Sequence, residues 1–470
     1  MRRLLAPLAI ATSVAVTLRV AFDAWYLNYD ARYALIWARD VTRGVTPDFE
    51  APFAPTPHPL STLWSVLALP FGQGGEAVIV WLTLLAFGLL VYLTYRLGAE
   101  LFSPWAGAVA AVVILTRPAM VRDTLLGYQD IPFAALVVFA ALLEARRPRR
   151  GAPVLAVLAL AGLLRPEAWV LAGLYWLYLL PRSANADRLK LALIVAAAPV
   201  LWAVVDYVVT GDALHSLHGT SELAETNDRR RDIEDAPYWT AKYFGFTLRE
   251  PLAVAIPIGF ALAWRQRARF GRPALLALSV VTAMTAVFMI GPLFGLPLIG
   301  RYVRTPSVFL ALFAGLALAG WALIRDDRER RVWQALAAVA AIALAVFVPA
   351  NIGQLRDLET RFDRDGAFYA DLRAVAYDPD VRELTARCGP LLAADHRPIA
   401  HLRYWLATDP GSVGTVEDTG NRTPSLLVKP RRSRESRLFF RGEFPSVPVP
   451  PGARRVYANS SWAVFASADC

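Results

Sequence analysis

The chain has few of the residues that build metal centres or disulfide frameworks: two cysteines and five histidines in 470 residues. Cys388 and Cys470 both follow the last long apolar run, and their spacing alone fits a disulfide or two separate thiols equally well. His215 and His218 are three residues apart on one helical face, but no third ligand lies near them in the sequence. The sequence therefore does not support a metal cluster.

Other features are missing as well. Arg2 and Arg3 precede an apolar run at 4–22, as in a signal peptide, but no small-residue cleavage site follows, so we interpret this run as an uncleaved first helix. There is no internal repeat and no inverted symmetry of the kind found in transporters. The net charge of +10 comes mainly from arginines clustered between apolar runs. This pattern favours anchoring to membrane lipid and argues against a nucleic-acid partner.

What the chain has in quantity is apolar length: 56% of its residues are hydrophobic and the mean hydropathy is +0.40. A membrane-crossing helix needs about 20 residues, and fewer when it packs inside a bundle. The sequence predicts about eleven such spans, at 4–22, 77–95, 103–116, 131–144, 152–164, 168–181, 189–206, 251–264, 273–299, 305–324 and 332–349.

The predicted topology depends on whether the run at 152–181, which is interrupted by Arg165 and Glu167, forms one helix or two. The positions of the arginine clusters decide between these. As one helix it would bury both charges at mid-membrane. As two short helices it places the turn at the far surface and puts all the arginine clusters on one side, as the positive-inside rule requires. Those clusters lie at 146–150, 182–190, 265–272 and 325–331. The N-terminus is then cytoplasmic and the C-terminus extracytoplasmic.

These arguments predict an α-helical polytopic membrane protein with two domains. Residues 1–349 form the transmembrane domain, and residues 350–470 form a small extracytoplasmic α/β domain with strands at 426–429, 455–458 and 462–466. The outer segment 23–76 contains an apolar stretch, Leu60–Phe71, that is too short to span and is expected to lie along the interface as an amphipathic helix. The segment 207–250 is expected to form a lid or a surface loop.

Two aspartates stand out at the predicted outer face. Asp30 follows the first span closely, where a carboxylate can act as general base toward a hydroxyl group; other acidic residues of that segment serve only to keep a loop soluble. Asp130 begins the fourth span. Complementing the helix dipole is the simpler role for it, and its shared face with Asp30 favours a functional one.

Two arginines at the same face are candidates for binding phosphate. Arg165 lies with Pro166 and Glu167 between two spans, where the alternative is an internal ion pair that holds the turn. Arg301, accompanied by Arg304, lies at the outer mouth of the ninth and tenth spans, where the alternative is an arginine that snorkels to the interface.

Five short motifs, taken in order, resemble those of the GT-C superfamily of membrane glycosyltransferases, in particular protein O-mannosyltransferases and bacterial aminoarabinose transferases. They are Asp30 within YDARYALIWA, His58-Pro59-Leu60, Asp-Ile-Pro at 130–132, Arg-Pro-Glu at 165–167, and Arg-Tyr-x-x-x-Pro at 301–306. The resemblance covers roughly the first 325 residues. Two features depart from the pattern: the second proline of the histidine motif is absent, and no second acidic residue adjoins Asp30.

The resemblance implies transfer of a sugar from a polyprenyl-phosphate carrier to a glycan, lipid or protein acceptor. Asp30 is then the catalytic base and Asp130 positions acceptor or sugar. Arg301 and Arg165 bind the donor phosphate, and His58, Glu167 and Tyr33 are candidate lining residues. No cofactor is required, and a divalent metal, used by some relatives, is not demanded. The main alternative is a transporter or flippase of lipid-linked sugars, and a third is a membrane anchor that displays the C-terminal domain.

Overall fold

The computed structural model describes residues 2–182, 184–417, 424–440, 444–445 and 447–470. A helical membrane part comes first, and a small sheet domain follows it. The helices of the first part are α1 Arg2–Ala21, α2 Tyr29–Thr42, α3 Pro59–Ser65, α4 Gly75–Leu101, α5 Pro104–Leu115, α6 Pro118–Leu125, α7 Asp130–Arg146, α8 Ala152–Gly162, α9 Glu167–Leu179, α10 Asn185–Thr210, α11 His215–Thr226, α12 Ala236–Leu248, α13 Glu250–Arg265, α14 Arg267–Ile290, α15 Arg304–Ala319 and α16 Asp327–Val346.

Each predicted span coincides with one of these helices (α1, α4, α5, α7 to α10 and α13 to α16). Within the described residues, five helical runs are long and apolar enough to cross a membrane, and seven if each of two bent pairs counts as one span. A multi-pass membrane protein is thereby confirmed. The full number of eleven crossings stays a prediction, because several of these helices are short.

The interrupted run at 152–181 forms two helices, as the arginine pattern predicts. Helix α8 ends at Gly162, and Pro166 is the residue that caps the start of α9. Proline suits this place because its missing N–H would lack a helical partner there anyway. The turn closes tightly: Trp169 Nε1 donates to the Gly162 carbonyl oxygen at 2.9 Å. A Cβ on Gly162 would meet the Trp169 ring at 2.7 Å.

Close helix contacts hold the membrane part together. Helix α15 packs against α5 and α13, and α4 packs against α1, α5 and α7. Two crossings depend on glycine: a Cβ on Gly315 would lie 2.1 Å from the Ala106 carbonyl oxygen, and one on Gly259 would lie 1.9 Å from that of Phe313. Small residues let helix backbones approach in this way, which is the usual source of packing between membrane helices.

Both outer segments contain helices. The stretch Leu60–Phe71 lies in α3 and in a 3₁₀ turn, Val66–Gly74, and it leads into α4 within one apolar helical run that extends from Pro59 to Leu101. The segment 207–250 contains α11, a 3₁₀ turn at Ile233–Asp235 and α12. Both segments lie beside the cavity described below.

The C-terminal domain begins with a 30-residue helix, α17 Val348–Tyr377, so the predicted boundary at 349/350 falls in its first turn. Three further helices and five strands follow: α18 Pro379–Cys388, β1 Leu391–Ala393, α19 Ile399–Leu406, β2 Val413–Thr415, β3 Leu426–Pro430, α20 Arg434–Phe439, β4 Arg454–Ala458 and β5 Trp462–Ala466. The strand order is β2-β1-β3-β5-β4. Strand β1 is parallel to β2 and β3, whereas β5 is antiparallel to β3 and β4.

The sheet confirms the small C-terminal α/β unit, and β3, β4 and β5 coincide with the three predicted strands. The two cysteines, whose pairing the sequence leaves open, form a disulfide between Cys388 at the end of α18 and Cys470. This bond ties the last residue of the chain to the first part of the domain.

Helix α2 is where the two parts of the molecule meet. Near its end, the buried Asp40 carboxylate accepts a hydrogen bond from Arg403 of α19 at 2.6 Å. In its first turn, the buried Arg32 pairs with Glu76, which also accepts from Trp405 Nε1 at 2.9 Å. The C-terminal domain therefore fixes the position of α2, the helix that carries Asp30.

Candidate active site

A cavity of about 1450 Å³ opens between the membrane part and the C-terminal domain. Its walls come from the start of α2, the Arg-Pro-Glu turn, the segment 207–250, the 3₁₀ turn Gly300–Val303 and the loop after β1. The charged and histidine side chains that line it are Asp30, His58, Arg122, Asp123, Arg165, Glu167, Asp206, Asp228, Arg229, Arg230, Asp232, Lys242, Arg301, Arg304, His396 and Arg397.

Asp30 lies in the first turn of α2, and its place is set by the helix cap. Asn28 Oδ1 accepts from the Ala31 backbone N–H at 3.0 Å, which satisfies a donor that the helix itself leaves free. Asn28 Nδ2 donates to the Leu126 carbonyl oxygen at 2.7 Å and so ties this cap to the end of α6. The cap and its anchor hold Asp30 at the cavity wall.

Arg301 reaches Asp30 from the 3₁₀ turn Gly300–Val303, just before α15. Its Nη1 lies 2.8 Å from Asp30 Oδ2, and its Nε lies 4.0 Å from Asp130 Oδ2. The guanidinium carbon is 4.8 Å from the centre of the Tyr128 ring. A cation over an aromatic face is attracted to it, so the ring helps to orient the guanidinium between the two carboxylates.

Asp130 is 2% exposed and does not line the cavity. One of its oxygens pairs with Arg165, and Arg165 also holds Glu167, with 3.1 Å between Nε and Oε1. The ring of Tyr302 lies 4.1 Å from the Arg165 guanidinium carbon. Arg165 thus forms ion pairs on both sides of the turn and also lines the cavity, whereas Asp130 lies behind the arginines.

Of the remaining predicted residues, some line the cavity and one does not. His58 lines the cavity, next to the start of α3, and packs edge-on against Trp202 with 5.5 Å between ring centres. Glu167 also lines it, at the start of α9. Tyr33 is fully buried between Tyr29 and Trp37 and is not a lining residue. Tyr29, one helical turn earlier, occupies the wall instead.

The electrostatics of the site keep Asp30 charged. Burial on its own raises the pKa of this carboxyl, but the basic groups around it, Arg301 foremost, together outweigh burial, so the pKa lies below its ordinary value. His58 behaves in the opposite way. Burial, with the charges of Arg165 and Arg301 acting in the same direction, lowers the pKa of His58 to about 3, so its imidazole is neutral at physiological pH.

Several wall residues carried no distinctive sequence signal. Asp123, completely buried, pairs with Arg122 at 3.0 Å and with Arg304 at 2.8 Å. Arg304, expected beside Arg301 as a phosphate ligand, is therefore engaged with Asp123. Three cations of the segment 207–250 (Arg229, Arg230 and Lys242) and two residues of the C-terminal domain (His396 and Arg397) complete the set. The sequence shows that these residues are basic and lie in predicted outer segments. It does not show that they come together, because that depends on tertiary packing.

The arrangement does not fit a divalent metal ion. Within the described residues, no three His, Cys, Asp or Glu side chains surround one point. Asp30 and Asp130 lie beside Arg301, and Glu167 lies beside Arg165, so each carboxylate already has a cationic neighbour.

No protein-family model and no curated protein sequence matches this chain. Among solved structures, ArnT from Cupriavidus metallidurans bound to undecaprenyl phosphate is similar over 97% of both chains, with 16% sequence identity and a TM-score of 0.59. The chain shares the ArnT fold. The correspondence extends over the membrane part and the C-terminal domain together, because almost the whole of each chain is covered.

A second similar structure is the oligosaccharyltransferase of Archaeoglobus fulgidus in complex with Zn and sulfate. It has 16% identity and a TM-score of 0.50 over 87% of this chain and 62% of that one. The fold expected from the resemblance is thus confirmed, because it is the fold of ArnT.

Proposed function

We propose that the protein transfers a sugar from a polyprenyl-phosphate-linked donor to an acceptor hydroxyl at the outer face of the membrane. The observation that carries this proposal is the meeting of Asp30 and Arg301, 2.8 Å apart, on the wall of one large cavity. A carboxylate that can take a proton and a guanidinium that can bind a phosphate are the two groups that such a transfer needs.

The reaction is a single displacement. The acceptor oxygen attacks the anomeric carbon of the sugar, and the bond from that carbon to the phosphate oxygen breaks. The electron pair leaves with the polyprenyl phosphate, and the proton of the acceptor hydroxyl passes to Asp30. A phosphate leaving group needs no general acid, so one carboxylate suffices, and one displacement inverts the anomeric configuration.

Arg301 and the cations of the segment 207–250 are proposed to bind the donor phosphate. Arg229, Arg230 and Lys242 line the cavity, and none of them forms an ion pair with a described residue. Charge on the leaving phosphate increases as the bond breaks, so pre-placed cations stabilise the transition state more than the bound donor. Arg165, which already faces two carboxylates, is better suited to positioning than to binding phosphate.

Asp130 is proposed to act as a positioning residue. It contacts Arg165 directly and lies 4.0 Å from Arg301 Nε, so its charge holds both guanidinium groups at the cavity wall. The role expected from the motifs, direct contact with sugar or acceptor, does not suit a side chain that is only 2% exposed.

The sidedness of the site is part of the proposal. All eleven helices that coincide with predicted spans would cross the membrane, with the N-terminus cytoplasmic and the C-terminal domain outside. The disulfide between Cys388 and Cys470 supports this orientation, because such bonds persist in extracytoplasmic compartments. The fold shared with an undecaprenyl-phosphate-bound ArnT supports a lipid-linked donor.

The test is the variant Asp30→Asn, assayed for sugar transfer in detergent or liposomes. The amide keeps the shape of the carboxylate but cannot accept the proton, so kcat should fall by roughly 10²- to 10⁴-fold. Asp23→Asn is the matched control, because Asp23 is fully exposed and does not line the cavity. Normal transfer by Asp30→Asn would remove this residue from the role of base.

A further inference from the structure

The loop after β1 brings the C-terminal domain into the cavity. Strand β1 is the middle one of three parallel strands, and the chain passes from β2 on one side of it to β3 on the other. In open sheets of this kind, ligands bind beyond the carboxyl end of the strand at which the order reverses. The residues at that place include His396 and Arg397, and both line the cavity that contains Asp30.

His396 is part of an aromatic surface of the cavity wall that also includes Phe53 and Tyr29. Its imidazole stacks on the ring of Phe53, with 4.5 Å between ring centres and 9° between planes. It also lies edge-on to Tyr29, the residue before Asp30, at 6.2 Å. Phe53 has a φ of +62°, an uncommon backbone conformation for a residue with a side chain. Non-glycine residues in this region occur preferentially at binding sites.

The charge of Arg397 is already neutralised from within its own domain, and a carboxylate also lies beside His396. Arg397 Nη1 lies 2.8 Å from Asp395 Oδ2, and His396 Nδ1 lies 3.4 Å from Glu417 Oε2. An anionic ligand would have to displace these carboxylates. A neutral one would not, and the Arg397 fork has five N–H donors, of which the carboxylate uses only part. Flat rings beside free N–H groups suit a molecule with an apolar face and an edge of hydroxyl groups.

We propose that Phe53, His396 and Arg397 form the acceptor subsite, and that the acceptor is a neutral saccharide. The C–H face of a pyranose ring would lie on the aromatic surface, and its hydroxyls would accept hydrogen bonds from Arg397. This places an acceptor hydroxyl beside Asp30, while the unpaired cations of the segment 207–250 stay available for the donor phosphate. The inference rests on the proposed function and names its acceptor class.

The experiment titrates neutral octyl glycosides and their 6-phosphates as acceptors, at a fixed saturating concentration of a synthetic polyprenyl-phosphate-linked hexose. Wild type should transfer to the neutral glycoside in preference. His396→Ala and Arg397→Ala should raise the acceptor KM about ten- to a hundredfold, because each removes a contact with the acceptor. The donor KM should not change. His396→Phe, which keeps a flat ring on Phe53, should stay near wild type.

Two controls separate a local effect from misfolding. His218→Ala and Arg455→Ala remove the same residue types at exposed positions outside the cavity and should leave the acceptor KM unchanged. Thermal unfolding of every variant shows whether the fold is intact. Preference for the phosphorylated acceptor, or a change in donor KM instead of acceptor KM, would overturn the subsite.

A binding measurement distinguishes failure of this inference from failure of the proposed function. Saturation-transfer NMR should detect neutral octyl glycoside on wild type and much less on His396→Ala, with no turnover required. If wild type binds the glycoside but transfers sugar to no acceptor, the proposed function is wrong and the subsite stands. If wild type does not bind the glycoside, the subsite is wrong whatever the transfer assay shows.

Discussion

Arg301 Nη1 lies 2.8 Å from Asp30 Oδ2, so the proposed phosphate ligand and the proposed base are bound to each other. A donor phosphate that engages Arg301 competes with Asp30 for the same guanidinium. As the guanidinium turns toward the phosphate, Asp30 loses its partner and becomes a stronger base. If the proposed function holds, binding of the donor and activation of the base are therefore coupled through one side chain.

This coupling predicts a change in pH dependence when Arg301 is made neutral. Arg301 lowers the pKa of Asp30 against the opposing effect of burial. In Arg301→Gln the burial remains, so the pKa should rise, and Asp30 is active only when ionised. The acidic limb of kcat/KM, which reports the free enzyme, should therefore move to higher pH. An acidic limb that stays at the wild-type position would show that Arg301 does not influence the ionisation of Asp30.

Arg301→Lys tests the geometry of phosphate binding. Lysine keeps the charge but offers a point donor where arginine offers a planar fork to two oxygens. We expect donor KM to rise about tenfold in Arg301→Lys, further in Arg301→Ala, with acceptor KM nearly unchanged. Arg272→Ala, at an exposed position outside the cavity, is the control. Wild-type donor titrations for both Arg301 variants would identify this residue as an ordinary interfacial arginine.

The buried pair between Asp40 and Arg403 should be essential for joining the two parts of the molecule. Within the described residues, Arg403 Nε and Nη1 have no hydrogen-bond partner, so Asp40 is the main acceptor for this buried guanidinium. Asp40→Ala would leave the charge unpaired and should cost about 3–5 kcal/mol of unfolding free energy. The double variant Asp40→Leu with Arg403→Met should recover most of this loss, as denaturant unfolding in detergent would show. Equal instability of the single and double variants would argue against a charge-pair effect.

How far the sequence predicts this molecule depends on the kind of information each feature needs. The helices are predictable because apolar length and the positions of the arginine clusters can be taken directly from the sequence. The two-helix interpretation of 152–181 follows from the charges of Arg165 and Glu167 together with the sidedness of those clusters. Contacts are different. The sequence places Asp30 and Arg301 at one face, but their 2.8 Å separation depends on the packing of α2 against the turn before α15. Nothing local shows that Tyr29 rather than Tyr33 lines the cavity.

Removing the disulfide should lower the stability of the protein without changing its catalytic constants. The disulfide joins residues separated by 82 positions and lines no part of the cavity. Closing a loop of this length restricts the unfolded chain, so replacing both cysteines by serine should cost about 2–5 kcal/mol. We expect a lower Tm, and kcat and both KM values close to wild type at 25 °C. A large change in acceptor KM with an unchanged Tm would mean that the bond shapes the site rather than the domain.

The disulfide also makes the topology directly testable. Because both native cysteines are paired, a single cysteine introduced elsewhere should be the only reactive thiol in the oxidised protein. At Arg147, Arg267 and Arg328, all exposed and all in arginine clusters, a membrane-impermeant maleimide should react only from the cytoplasmic side. At Glu50 and Gly411, exposed in the first outer segment and in the C-terminal domain, it should react only from outside. Labelling of Arg267→Cys from outside would break the eleven-span topology, and with it the placement of Asp30 and Arg301 at the outer face.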